Sequence, residues 1–171
     1  MEVTAPGHNR AMTKDDLIAL LTEADIDHDA PDGSDFVAVI LPGTRRLKTV
    51  ALLIPGSDYL RIEAFICRAV EEKHADVYRF LLQRNNKTFG VAYTIDANND
   101  IYLAGYLPSS ITAQDLDRVL GQLLDRADND FNRMLEMGFE ESIRKEWVWR
   151  LSRGESTRNL EAFDALRPAD E

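Results

Sequence analysis

With Cys67 as its one cysteine, the chain can form no internal disulfide and no cysteine-based metal site. Cys67 closes the apolar run Ala64-Phe65-Ile66-Cys67 with no histidine nearby, a context for a small buried hydrophobe and not for an activated nucleophile. Histidine is scarce too: His8, His28 and His74 are scattered and make no ligand pair at helical or strand spacing. Residues 1–12 contain no apolar stretch of signal-peptide length, and no later run approaches membrane-spanning length, so a cytoplasmic location is expected. Basic residues are outnumbered 20 to 30 by acidic ones, giving a net charge of -10 and a pI of about 4.8. A field of that sign repels phosphate backbones and anionic lipid, so neither nucleic acid nor a membrane is an expected partner. There is no phosphate-cradling glycine loop and no Gly-x-Ser-x-Gly context, and no cofactor is expected.

At 171 residues the chain is long enough for one domain with one core. Residues 1–12, with Pro6 and Gly7 and no periodicity, are expected to be a flexible tail. Thr13 with Asp16 three positions on is an N-terminal helix signal, and Leu17, Leu20, Leu21 and Ala24 recur at helical spacing. Three strand-like runs follow, at 36–41, 48–54 and 59–67, separated by Pro42-Gly43 and Pro55-Gly56. Such pairs signal tight turns, with proline fixing one backbone angle and glycine accepting a positive one, and they imply adjacent antiparallel strands. The first two runs are apolar on both faces, a demand for cover on both sides by helices or by a second subunit.

Residues 70–85 read as a helix, 88–95 and 101–107 as two more strands, and 112–138 as a long helix with a continuous apolar stripe from Leu116 to Leu135. Its other face is acidic and reads as solvated. Gly138 ends or kinks that helix, residues 139–151 look helical, Gly154 breaks them, and 156–166 form a last short helix. The expected fold is thus α+β: the order α-β-β-β-α-β-β-α, an antiparallel five-stranded sheet, and a C-terminal helical extension. Residues 13–138 form the domain and 139–171 pack on it.

The stretch 77–138 resembles a known family through Phe80-Leu81-Leu82-Gln83-Arg84-Asn85-Asn86, Phe89-Gly90-Val91-Ala92, Leu107-Pro108-Ser109-Ser110 and Leu116 to Asp128. It resembles the YbjN family, whose members are labelled bacterial sensory transduction regulators. The resemblance implies a fold similar to the class I chaperones of type III secretion, which are small, acidic, usually dimeric and bind extended client segments. Its motifs are packing and turn residues, so it speaks to fold more than to activity. The segment 143–159 is similar to an extension of actinobacterial members, which implies an actinobacterial source.

Asp25, Asp27 and Asp29 begin like a calcium loop, but Ala30 replaces the required glycine and Phe36 the bidentate glutamate, so a capping-rich turn is expected. Ser109 and Ser110 read as helix caps, and Glu71 and Glu72 as an exposed helix start. One segment stands out. Arg144, Lys145, Arg150, Arg153 and Arg158 outweigh Glu146 and Glu155 between residues 143 and 159, and the same segment holds both tryptophans, Trp147 and Trp149. Arginine and tryptophan are enriched at interface hot spots. Arg144, Lys145, Trp147, Trp149, Arg150 and Arg153 are therefore candidate partner-binding residues, the alternative being a helix that packs its tryptophans on the core. The function expected is a non-enzymatic protein-binding module, chaperone-like or regulatory, acting as a homodimer with a protein or peptide partner. A regulator with a small ligand between sheet and helices is the alternative, and an enzyme with a charged cleft around Arg84 and Asn85 the third.

Overall fold

A computed structural model of the chain describes residues 10–169. Helix α1 (Lys14–Glu23) starts in a capping box: the Thr13 hydroxyl accepts the Asp16 N–H, and the Asp16 carboxylate accepts the Thr13 N–H. Strands β1 (Val37–Pro42), β2 (Lys48–Ile54) and β3 (Tyr59–Cys67) follow, then α2 (His74–Asn85), β4 (Ala92–Ile95), β5 (Ile101–Pro108), α3 (Ala113–Asn129), α4 (Phe131–Gly138) and α5 (Glu140–Arg153). A 3-10 helix, Arg158–Leu166, closes the described chain. All strand pairs are antiparallel in the order β1-β2-β3-β5-β4, so β3 is central and the α+β architecture has the element order read from the sequence.

The strands alternate, as half-buried strands must. Leu60, Ile62, Ala64 and Ile66 of β3 point into the core with Val37, Val39, Ala51, Leu53, Ile101 and Leu103 of its neighbours. Leu17 and Leu21 of α1 and Leu116, Leu120 and Leu123 of α3 cover them, each such side chain stabilising the fold by roughly 1.5–3 kcal/mol. Among the described residues no helix is long and apolar enough to cross a membrane.

Local departures from the sequence reading have identifiable causes. The expected tail lies outside the described residues as far as residue 9, but Met12 is buried and its N–H donates to the Gly56 carbonyl. Gly43 and Gly56 do not adopt positive φ. Gly43 is needed for close approach instead, since a Cβ there would sit 2.3 Å from the Arg46 carbonyl oxygen and 2.6 Å from Asp128. Helix α2 begins at His74 because Lys73 is left-handed, and the N–H groups of Glu71 and Glu72 bond the Gly138 carbonyl, which makes 70–73 a strap on the end of α4. Strand β4 begins only at Ala92, because Gly90 turns the chain at φ 75°. The long helix is interrupted at Asp130, a buried carboxylate anchored from β4 and α2 that apolar periodicity does not register.

The β1–β2 turn is clamped to the helix layer by one side chain. Asp128 Oδ1 accepts the backbone N–H groups of Thr44, Arg45 and Arg46 at 2.8, 2.7 and 2.9 Å. Burial pushes this carboxyl up, but the three N–H donors outweigh it and hold it below the usual range. A depressed carboxylate contributes stability that is present above the unfolded value of about 3.9 and is lost as pH falls through the folded one. Asp128→Asn should therefore cost about 1.5 kcal/mol at neutral pH in urea unfolding, with the gap to wild type narrowing below about pH 4. A gap independent of pH would show that the charge contributes nothing.

Candidate protein-docking surfaces

Helix α5 carries all six sequence-predicted candidates and treats its tryptophans oppositely. Phe139, Ile143 and Trp147 recur every fourth residue and turn toward the domain. Trp147 is 2% exposed, its indole N–H donates to the Phe163 carbonyl at 3.1 Å, and Leu160, Phe163 and Leu166 pack around it. Those three, spaced by three, line one side of the 3-10 helix. Trp147 is thus a packing residue, and its reading as a partner contact is corrected. Trp149, two positions on, is 44% exposed with the Arg153 guanidinium 5.1 Å over its ring, while Val148 and Leu151 are exposed on a different side of the helix.

The basic residues are not a bare patch. Arg144 pairs with Glu140, Lys145 with Glu141 and Arg150 with Glu146, each one turn back, at 3.0, 2.8 and 2.6 Å. Pairs of this kind fix side chains more than they add stability. The outward stripe of α5 is therefore Lys145, Trp149 and Arg153, one turn apart, with Val148 and Leu151 exposed to one side of it.

A second surface was legible only as a demand for cover. Among the described residues the helices pack on the inner face of the sheet and leave the outer face open. Ile40 is 56% and Tyr106 65% exposed, and Val50, Tyr59 and Phe65 are exposed with them. Rings pair edge-on across the strands, Phe65 with Tyr102 at 5.5 Å and Tyr59 with Tyr106 at 6.5 Å. At the middle of β3 Arg61 and Glu63 form an ion pair at 2.5 Å. Exposed apolar side chains are thus grouped on this face.

Each sheet edge is capped at one residue. On β1 the backbone of Asp29 exchanges two 2.8 Å hydrogen bonds with Ala38, which is the structural use of the acidic turn. On β4 the Asn85 side chain imitates a neighbouring strand: its Oδ1 accepts the Tyr93 N–H at 2.7 Å and its Nδ2 donates to the Tyr93 carbonyl at 3.2 Å. Local caps of this kind discourage strand addition at the edges and leave the face as the open surface.

Arg84 and Asn85 hold structure together. Beside Asn85, the Tyr93 hydroxyl lies 3.1 Å from Asp130 Oδ2 and 2.9 Å from the Arg126 carbonyl, its single proton shared between these acceptors. Arg84 Nε is 2.9 Å from Asp130 Oδ1 but off the hydrogen-bonding direction. Burial pushes the Asp130 carboxyl up against the opposing pull of Arg84, and it pushes the Tyr93 hydroxyl up as well. Asp130 and Tyr93 escaped the sequence reading because their partners lie on three other elements. Burial likewise pushes the Cys67 thiol up to about 11, 3.9 Å from the Met134 sulfur, which leaves it an inert core group. Between α2 and β4 an apolar cavity of about 250 Å³ is lined by Tyr78, Leu81, Leu82, Tyr93, Thr94 and Ile95, smaller than the roughly 300–1,000 Å³ of most ligand pockets.

The YbjN family, described as "Putative bacterial sensory transduction regulator", matches residues 13–136. A protein of Mycobacterium tuberculosis (strain ATCC 25618 / H37Rv) is 52% identical over 143 residues, covering 82% of this chain and 78% of the relative. One of Mycobacterium leprae (strain TN) is 53% identical over 137 residues, covering 80% and 74%. Both are named only as uncharacterized proteins. Among solved structures, the Yersinia pestis type III secretion chaperone SycH in complex with a stable fragment of YscM2 is 19% identical, with a TM-score of 0.47 over 65% of this chain and 92% of that one. YbjN from E. coli is 12% identical, with a TM-score of 0.47 over 74% and 89%.

Proposed function

The chain belongs to the YbjN family, and we propose that it serves there as a non-enzymatic protein-binding module of regulatory or chaperone-like character, cytoplasmic and working as a homodimer. The observation that carries this reading is the apolar surface left uncovered on an otherwise filled fold: the outer face of the sheet and the Trp149 face of α5. A chain of net charge -10 keeps such surfaces soluble only if they have an occupant or are small. The α5 stripe suits a protein segment with an apolar side chain and flanking acidic groups, because it sets Trp149 between Lys145 and Arg153. The small α2–β4 cavity is the weaker basis for a small-ligand reading.

The test is affinity capture from a mycobacterial lysate with wild type and a Trp149→Ala, Arg153→Ala variant. The exposed pair should leave the melting temperature within about the error of a surface substitution, near 0.5 kcal/mol. A protein retained by wild type and lost by the variant supports the reading. Equal capture by both would remove α5 as the docking surface.

A further inference from the structure

We infer that the open face of the sheet is where a second copy of this chain docks, face to face about a two-fold axis perpendicular to the strands; this deepens the homodimer of the proposed function and rests on it. Three observations carry the inference. The first is charge. Most of the surface of a chain at net -10 repels a second copy, but the outward strand positions hold only Lys48, Arg61 and Glu63 as ionised groups, two cationic and one anionic. Self-association is least opposed there.

The second is self-complementarity in the register. Arg61 and Glu63 sit at the middle of β3, the central strand, with Tyr59 two residues before and Phe65 two after. An axis crossing β3 at the level of Ile62 runs the two copies' strands in opposite directions. Arg61 then faces the partner subunit's Glu63, and Tyr59 faces the partner subunit's Phe65. On β5 the level of Ile62 is Gly105, so Tyr106 faces the partner subunit's Ala104, a large side chain over a small one. An axis along the strands would instead set Arg61 against the partner's Arg61, so charge selects between the two isologous arrangements.

The third is area. Five strands about 4.8 Å apart and about 20–25 Å long make a platform near 500 Å² in projection. The side chains standing on it present more than that, on the order of the roughly 800 Å² per partner that stable complexes bury. Strand pairing at the edges is hindered at one residue each, since Asn85 and Asp29 already occupy the backbone groups of Tyr93 and Ala38.

Charge reversal tests it. Wild type should sediment as a dimer at micromolar concentration. R61E at an exposed position and E63R at a half-buried one should each keep the wild-type melting temperature and weaken the dimer by about a hundredfold or more, because each sets four like charges at the centre. An equimolar mixture of the two variants, one carrying a tag, should restore a heterodimer, since only across copies do their charges become opposite. Should either reversal disturb the fold, Tyr106→Asp reads the same interface from β5. A dimer that survives the substitutions would give the face to another protein partner and overturn the inference while the homodimer stands. A mixture that stays monomeric would overturn the arrangement, and a monomeric wild type would overturn both.

Discussion

Replacing Trp147 by alanine should destabilise the protein by about 3–5 kcal/mol, the range for removing a buried aromatic side chain that leaves a cavity. The loss has two parts. The indole fills the space between α5 and the 3-10 helix Arg158–Leu166, and its N–H satisfies the buried Phe163 carbonyl at 3.1 Å. The satellite cluster of Trp147, Leu160, Phe163 and Leu166 meets the main core through Leu135 and Ile143, so residues 158–166 have little else to hold them. Hydrogen exchange in that helix should rise toward the rate of an unfolded segment, ahead of any change in β3. Trp149→Ala, two residues away, should move stability by no more than about 0.5 kcal/mol. Equal effects of the two substitutions would show that the burial difference carries no energy.

Gly105→Ala should cost about 3 kcal/mol or more, at the upper end for overpacking. A Cβ at Gly105 would lie 1.9 Å from the Gly90 carbonyl oxygen, 2.9 Å from the Gly90 carbonyl carbon and 3.0 Å from the Val91 Cα. All three are backbone atoms, so no rotamer change relieves the clash and the segment leading into β4 has to move. That movement pulls on the Ala92–Ala104 pair and on the Asn85 clamp at Tyr93, and through Tyr93 on Asp130. The control is Gly121→Ala in the middle of α3, where a Cβ meets nothing within 4 Å. It should stabilise by about 0.5–1 kcal/mol through helix propensity alone. Urea midpoints of both variants check the contrast, and a Gly105→Ala protein as stable as wild type would contradict the close approach of β4 to β5.

What could be read from sequence was local. Thr13 with Asp16 signalled a helix start because a cap and its donor lie three residues apart, whereas α3 is capped by Thr112 and not by Ser109 or Ser110 as read from the sequence. Strands β2 and β3 were bounded correctly by proline, glycine and alternation. Features set by distant partners were not legible. Asp130 looks like one more acid on a solvated helix face until Tyr93, 37 residues away, and Arg84 reach it. Asn85 carries no pattern that announces a clamp on a strand eight residues ahead. The α5 tryptophans were half legible: Phe139, Ile143 and Trp147 at every fourth position single out the buried one, a signal masked by the basic residues between them. The demand of β1 and β2 for cover on two faces was readable, and among the described residues the single helix layer leaves the outer half of that demand unmet.

That unmet demand is the centre of the account, and the mass of the wild-type protein in solution tests it most directly. Sedimentation equilibrium over a range of micromolar concentrations should give twice the 19.4 kDa of the chain. A protein that remains at 19.4 kDa throughout would contradict the account, because the open sheet face would then be stable in water with nothing on it.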